Sequence, residues 1–189
     1  MLHKILFNAT FHLLLIQIDE EFLNQTAQKG CPYCGNKLHL ANYDRSPFGL
    51  LSQFRQYYDE RFSLCCSSCR KRTTPQSVRF FGRRWYPAPL FVLISALMLG
   101  INERRLKQIK RHLGIVVSES TWKRWRKWWQ QSYEATSFWK QAKGFALTIG
   151  IKKLFPRALF VLFQGSFEEK LRLLLKFLSP LTGGNLRAV

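Results

Sequence analysis

Residues 64–75 read LCCSSCRKRTTP, and residues 31–35 read CPYCG. Each stretch contains two cysteines in C-x2-C spacing, which lets one tight turn direct two thiolates at a single ion. Four thiolates complete a tetrahedral structural zinc site and leave no open coordination position. The sequence therefore predicts a Zn²⁺ ion that holds a small β-ribbon together and takes no part in catalysis. The predicted ligands are Cys31, Cys34, Cys66 and Cys69.

Two further side chains lie close enough in sequence to be considered as ligands. Cys65 could replace Cys66, but the resulting C-x3-C spacing makes the poorer turn, so Cys65 is interpreted as a spare core thiol. His39 is expected in a ribbon strand, where a lone histidine is more often exposed or packed than metal-bound. The odd number of cysteines, all between residues 31 and 69, argues against a secreted disulfide framework and favours a reducing cytoplasm.

The charge is unevenly distributed along the 189 residues. The chain carries a formal net charge of +19, which indicates a polyanionic partner, either nucleic acid or an anionic membrane surface. Lysines and arginines balance aspartates and glutamates in residues 1–69, whereas residues 70–143 carry a net +14 and residues 144–189 a net +5. Most of the excess therefore follows the second cysteine pair directly.

A basic and aromatic linker, residues 70–89, comes after that pair and reads RKRTTPQSVRFFGRRWYPAP. Arginines and lysines interleaved with aromatic rings can follow a phosphate backbone while the rings pack or stack. A solvated linker is the alternative. The linker side chains predicted to contact DNA are Arg72, Arg79, Arg83 and Arg84.

Three helical patterns follow the linker. Pro87 and Pro89 precede LFVLISALML, residues 90–99, a uniformly apolar helix that is too short to cross a membrane and so belongs inside a bundle. Residues 103–113, ERRLKQIKRHL, form an amphipathic second helix with a cationic outer face. Residues 121–130, TWKRWRKWWQ, form the third, with Ser118 or Ser120 as its N-cap.

The third helix has two faces of different chemistry. Trp122, Trp125 and Trp129 fall on one stripe, and basic residues fall on another. The indoles can pack on the first two helices while the cations reach into a major groove, as a recognition helix requires. The residues predicted to contact DNA here are Ser120, Thr121, Lys123, Arg124, Arg126 and Lys127.

These residues resemble a known family. The stretch 106–125, LKQIKRHLGIVVSESTWKRW, is similar to a helix-turn-helix, and a C-P-x-C ribbon leading into it resembles the DNA-binding proteins and N-terminal regions of bacterial insertion-sequence transposases. The likeness spans about residues 31–130. It implies recognition of the end of a mobile element, or control of its promoter.

The two ends of the chain predict further helical structure. KILFNATFHLLLIQI, residues 4–18, predicts a short buried helix or strand, since it lacks the length of a membrane span and the cleavage site of a signal peptide. Near the other end, Ser166 and Glu169 predict a capping box at the start of an amphipathic helix. That helix is interpreted as an ordinary core helix or as a docking or homodimer helix.

The predicted fold class is mainly α with a small β zinc ribbon. We expect a helical or extended segment at 1–30, the zinc ribbon and basic linker at 31–86, the helix-turn-helix at 87–132 and a C-terminal helical region at 133–189.

No catalytic function is expected. Two-metal phosphoryl transfer needs clustered carboxylates, and no aspartate follows Asp59. The sequence favours a non-catalytic, sequence-specific double-stranded DNA-binding protein of a mobile element, in the cytoplasm and associated with the nucleoid. Its predicted partners are a separate transposase or nuclease chain and a second copy through the C-terminal helices, with no membrane. The alternative is a bridging subunit that binds protein or RNA through the ribbon and C-terminal helices.

Overall fold

The computed structural model describes residues 5–50, 52–81, 86–97, 117–142 and 156–182, together with Lys107, Lys110 and Arg111. The fold is mainly helical with small antiparallel sheets, as predicted. The α-helices are α1 (Ala9–Lys29), α2 (Ala88–Leu97), α3 (Glu119–Lys127), α4 (Tyr133–Ala135), α5 (Ser137–Ala142) and α6 (Phe167–Leu178). Three 3-10 helices span Ser52–Tyr57, Arg157–Leu162 and Ser179–Thr182. The strands are β1 (Leu38–Leu40), β2 (Tyr43–Asp44), β3 (Glu60–Arg61), β4 (Leu64–Cys66) and β5 (Arg72–Thr73).

Helix α1 resolves the open choice between helix and strand at the N-terminal end. It begins where the Asn8 side chain accepts a hydrogen bond from the backbone N–H of Thr10, and it ends at Gly30, directly before the first cysteine. At 21 residues it is longer than the short element expected. None of the helices in the described ranges has both the length and the apolarity that a bilayer crossing needs.

The strands form two small antiparallel sheets. The larger has the order β1-β4-β5, with Leu38 opposite Cys66 and Cys65 opposite Arg72. The smaller pairs β2 with β3. Cys31, Leu38, Leu64 and Cys66 form a separate small core, against which Leu23 and Ala27 of α1 pack. The end of α1 therefore supports the cysteine-bearing sheet.

The main core is centred on aromatic rings. Phe91 of α2 stacks on Trp129 at 5.5 Å between centroids, and its edge contacts Trp125 at 5.1 Å. A π-helical turn, Trp128–Ser132, continues α3 and brings Trp128 and Tyr133 against the same cluster. A π-helical turn contains more residues than an α-helical turn, so it changes the direction in which the following side chains point. Consecutive indoles can therefore contact the same core.

Helix α6 closes this core. Both hydrogen bonds of the predicted capping box are present: the Ser166 hydroxyl accepts from the Glu169 N–H at 3.3 Å, and the Glu169 carboxylate accepts from the Ser166 N–H at 2.7 Å. Its apolar stripe packs inside the chain, which matches the core-helix interpretation. The buried stripe residues are Leu171, Leu174, Leu175 and Leu178.

A buried polar network joins distant parts of the chain. The Asp19 carboxylate accepts hydrogen bonds from the Ser77 hydroxyl, the Val78 N–H at 2.7 Å and the Arg79 Nε at 2.9 Å. The Ser77 N–H donates to the Thr182 hydroxyl at 2.7 Å. Helix α1, the linker and the last 3-10 helix therefore meet at one carboxylate that is fully buried.

A second polar contact attaches α1 to the segment between the cysteine pairs. His12 Nε2 lies 3.0 Å from the Leu6 carbonyl, and Nδ1 lies 2.9 Å from the Tyr58 hydroxyl. The carbonyl can only accept, so Nε2 carries the proton and Nδ1 accepts from Tyr58. Burial lowers the pKa of His12 and raises that of Tyr58, which keeps both groups neutral.

Replacing Asp19 by asparagine should destabilise the fold by about 3–5 kcal/mol, because the buried Arg79 guanidinium would lose its counter-charge. Urea unfolding of both proteins measures the difference. Glu20→Gln is the matched control, since Glu20 is the next residue of α1 and is exposed. Equal midpoints for the two variants would contradict this role of Asp19.

Folding stability should decrease as the pH falls below about 6.5, the ordinary pKa of histidine. Below that pH the unfolded chain binds a proton at residue 12 that folded His12, with its lowered pKa, does not. The loss of stability should stop once the pH is below the pKa that His12 has in the folded chain. Urea unfolding at several pH values measures this dependence. The unfolding free energy of His12→Gln should vary less with pH than that of the wild-type chain, and glutamine keeps a hydrogen-bond donor and an acceptor at this position. An equal pH dependence of the unfolding free energy in the two proteins would contradict this role of His12.

Candidate metal centre and nucleic-acid interface

Four cysteines from two turns form a compact sulfur cluster. The Sγ atoms of Cys31, Cys34, Cys66 and Cys69 all lie within 4.8 Å of one another. Cys31 and Cys69 are 3.6 Å apart, and Cys34 and Cys66 are 3.4 Å apart. A tetrahedral zinc–thiolate site would separate its sulfurs by about 3.8 Å. The four cysteines predicted from spacing are thus the four that can hold a metal ion.

The two turns share one backbone design. The Cys31 N–H donates to the Asn36 carbonyl at 2.9 Å, and the Cys66 N–H donates to the Lys71 carbonyl at 3.1 Å, five residues further on in both cases. The residue after each second cysteine has positive φ: Gly35 at 74° and Arg70 at 59°. This repeat places two sulfurs of each turn on the same side of the backbone.

The remaining candidate ligands lie outside the cluster. Cys65 is adjacent to Cys66 in β4, so its side chain leaves the opposite face of the sheet. Its Sγ lies 3.5 Å from the Arg70 carbonyl. His39 of β1 is exposed and pairs with Cys65 across the strands. The preference for Cys66 over Cys65, and the exclusion of His39, agree with this placement.

The thiols influence one another strongly. Hydrogen bonds from the backbone and side chain of Asn36 lower the pKa of Cys34 to about 6. Burial alone would raise the pKa of Cys66, but the N–H groups of Cys69 and Ser68 outweigh it, and that pKa is lowered. The Lys71 N–H lowers the pKa of Cys69, yet burial and the three neighbouring thiols together raise it to about 12.

This electrostatic pattern fits a cation site. Once Cys34 ionises, a further thiolate at a few ångströms is opposed by like charge. A divalent cation among the sulfurs would remove that opposition and allow all four to ionise. The donor set is entirely sulfur, which suits zinc and other thiophilic metals.

The linker arginines do not share one environment. Arg79 is buried, with Nε on Asp19 and Nη1 donating to the Tyr57 carbonyl at 2.7 Å. The prediction that Arg79 contacts DNA is therefore wrong, because its charge is neutralised inside the fold. Arg72 is exposed in β5 and donates to the Ala41 carbonyl. Arg83 and Arg84 lie outside the described residues.

Helix α3 separates its aromatic and cationic faces as its pattern predicts. Ser118, rather than Ser120, is the N-cap, because its hydroxyl accepts from the Thr121 N–H at 3.2 Å. The three indoles of the stripe are at most 3% exposed. The exposed residues on the other side are Ser120, Lys123, Arg124, Arg126 and Lys127.

Thr121 is the exception in that set. It is 7% exposed, so the prediction of a direct contact with DNA is wrong for this side chain. Its hydroxyl instead accepts a hydrogen bond from Arg124 Nη2 at 3.0 Å. Lys123 pairs with Glu119 one turn earlier at 2.9 Å. Two cations in the middle of α3 therefore each have a partner on the same helix.

The second helix of the predicted motif lies mostly outside the described residues. Lys107, Lys110 and Arg111 are helical and exposed, in agreement with a cationic outer face. The remaining positions of 103–113 are not among the described residues.

Sequence reasoning missed two ring–cation pairs beside the cysteine turns. Lys71 Nζ lies 4.4 Å from the centre of the Tyr33 ring, and the Arg72 guanidinium lies 5.4 Å from that of Tyr43. The tyrosine inside C-P-Y-C was an available signal for the first pair. The second depends on the pairing of strands that are distant in sequence.

The comparisons with known proteins add no relative. No family model, no curated protein and no solved structure matches the chain. The site must therefore be interpreted from its own geometry and from the motif resemblance. That resemblance rests on the two cysteine pairs and on residues 106–125.

Proposed function

We propose that the chain is a non-catalytic, sequence-specific double-stranded DNA-binding protein. In this proposal α3 is the recognition helix of a helix-turn-helix, and the cysteine-bearing sheet is a ribbon held by zinc. The observation that carries the proposal is the separation of faces on α3, where a row of buried indoles fixes the helix and a row of exposed cations remains accessible.

The middle of α3 supplies the means of sequence discrimination. Arg124 is oriented by the Thr121 hydroxyl, and Lys123 is held by Glu119. A pre-oriented guanidinium can donate two hydrogen bonds to guanine O6 and N7 in the major groove. Arg126 and Lys127, one turn further on, suit phosphate contacts, which hold register without reading bases. Residues 107–111 would add cations from the preceding helix.

Zinc has a structural role in this proposal. Four sulfur ligands complete its coordination, so no position remains for water or substrate. Binding energy at such a site is folding energy, which a sheet of two- and three-residue strands lacks by itself. The metal would therefore hold the ribbon in shape at the end of α1.

The biological setting follows from the motif resemblance. A C-P-x-C ribbon followed by a helix-turn-helix suggests a DNA site at the end of a mobile element or in its promoter. Strand cutting would then belong to a separate transposase or nuclease chain. Homodimers would have to use surfaces other than the α6 stripe, which is buried within the chain.

The purified chain should contain one equivalent of zinc, and Gly30→Ala should weaken its retention. Gly30 has φ 74° and ψ −174°, a conformation that is almost exclusive to glycine, and an added Cβ would lie 2.8 Å from the Gly35 carbonyl oxygen. Elemental analysis and competition with a chelator measure both effects.

Gly35→Ala is the matched control for that substitution. Gly35 has the same φ of 74°, but an added Cβ meets no atom within 4 Å, so only the backbone preference of about 1–2 kcal/mol is lost. We expect Gly30→Ala to release zinc at a lower chelator concentration than Gly35→Ala. A wild-type chain that is folded without metal, or equal release by both variants, would contradict the proposal.

Selection from a random duplex pool should yield a defined DNA site. Arg124→Ala should then lose about 1–3 kcal/mol of preference for that site, because a base contact disappears. Lys127→Ala should instead weaken all duplexes alike and reduce the salt dependence by about one phosphate contact. Fluorescence anisotropy at several salt concentrations measures both quantities.

Lys29→Ala is the control for loss of one positive charge. Lys29 is exposed at the end of α1 and belongs to none of the predicted DNA-contacting elements. Lys29→Ala should change neither the preference for the selected DNA site nor the salt dependence of DNA binding. Equal affinity of the wild-type chain for selected and random duplexes would exclude sequence-specific recognition.

A further inference from the structure

Two tyrosines beside the cysteine-bearing sheet each have a cation over the ring, and both cations come from the segment at β5. Strand β5 is one of the two edge strands of this sheet, since within the described residues it pairs only with β4 in the order β1-β4-β5. Lys71 immediately precedes β5 and contacts Tyr33 of the first cysteine turn. Arg72 begins β5 and contacts Tyr43 of β2. We call these four residues the β5 edge.

Both rings remain accessible to a ligand. Tyr33 is 53% exposed and Tyr43 is 36% exposed, although a cation covers part of each. Lys71 and Arg72 are consecutive, so the two ring–cation pairs share one short segment of chain.

The cysteine turns and the strands next to them carry four cations, whereas the exposed carboxylates of Asp44 and Glu60 lie beside Tyr43 in the β2–β3 pair. Residues 31–43 and 64–73 contain Lys37, Arg70, Lys71 and Arg72 and no aspartate or glutamate. Lys37 and Arg70 are exposed. The Arg72 guanidinium is also held by the Ala41 carbonyl and, at 3.2 Å, by the Ser63 hydroxyl, so it is positioned before any ligand arrives.

We infer that the β5 edge binds unpaired nucleotides, with bases on the Tyr33 and Tyr43 rings and phosphates on Lys71 and Arg72. An aromatic platform beside a cation is the recurring arrangement for single strands, because every base offers a flat face and every nucleotide a phosphate. A duplex hides its base faces in the stack and would leave both rings unused. This inference goes beyond the duplex recognition assigned to α3 and does not depend on it.

The zinc-loaded full chain should bind dT and U oligonucleotides of about 15 nucleotides, and replacing either ring by alanine should weaken binding about tenfold. Tyr33→Phe should retain binding, because stacking needs the ring and not the hydroxyl. Phe7→Ala is the control, since Phe7 is 42% exposed and is distant in sequence from both cysteine turns. Binding of dT alone or of U alone would each support the inference and identify the strand as DNA or RNA.

Zinc content is measured for every variant, because Tyr33 lies between two cysteines. If Tyr33→Ala loses zinc, then Tyr43→Ala and Lys71→Gln, both outside the C-x2-C turns, decide the question. The inference is overturned if neither oligonucleotide binds, or if these variants bind like the wild-type chain or like Phe7→Ala.

The same experiment separates this inference from the proposed function. Lys127→Ala should weaken duplex binding and leave single-strand binding unchanged, and the Tyr43→Ala variant should show the reverse. A chain that binds single strands through the β5 edge but shows no duplex preference would refute the proposed function alone.

Discussion

The fold depends most on the buried carboxylate of Asp19. A charge without water is stable only when it is paired and its remaining lone pairs are filled, and Asp19 meets both conditions through Arg79, Ser77 and the Val78 N–H. Because these donors are adjacent in the linker, the network fixes three consecutive residues against α1. It also explains why a strongly basic linker folds back into the protein instead of remaining solvated.

The linker joins the sulfur cluster, the Asp19 network and the aromatic core in a short length of chain. It begins after Cys69 of the sulfur cluster, supplies Lys71 and Arg72 of the β5 edge, passes through the Asp19 network and reaches Phe81, which stacks on Phe91 of the aromatic core at 5.2 Å. The sheet and the core that supports α3 are therefore joined through a segment held at both ends.

Local patterns predicted the parts of the site that depend on local geometry. The C-x2-C spacing identified four cysteines because a turn of four residues sets its own sulfur positions, and helical periodicity identified the two faces of α3. Arg79 was misassigned because its partner lies 60 residues earlier, and composition cannot distinguish a buried arginine from an exposed one. The buried Thr121 hydroxyl was misassigned for a related reason: its partner Arg124 is local, but its burial depends on tertiary packing.

The burial of Arg79 shows that the cations of the chain fall into two groups, one inside the fold and one at its surface. Of the cations in the linker, one neutralises Asp19 and others lie at the β5 edge. On α3, Glu119 pairs with Lys123, and the Thr121 hydroxyl accepts a hydrogen bond from Arg124. Cations that stabilise the fold are thus buried against carboxylate and carbonyl oxygens, and those on α3 remain hydrated at the surface. An exposed charge contributes little to stability. Folding therefore does not account for the cations of α3, and the proposal of a polyanionic ligand rests on them.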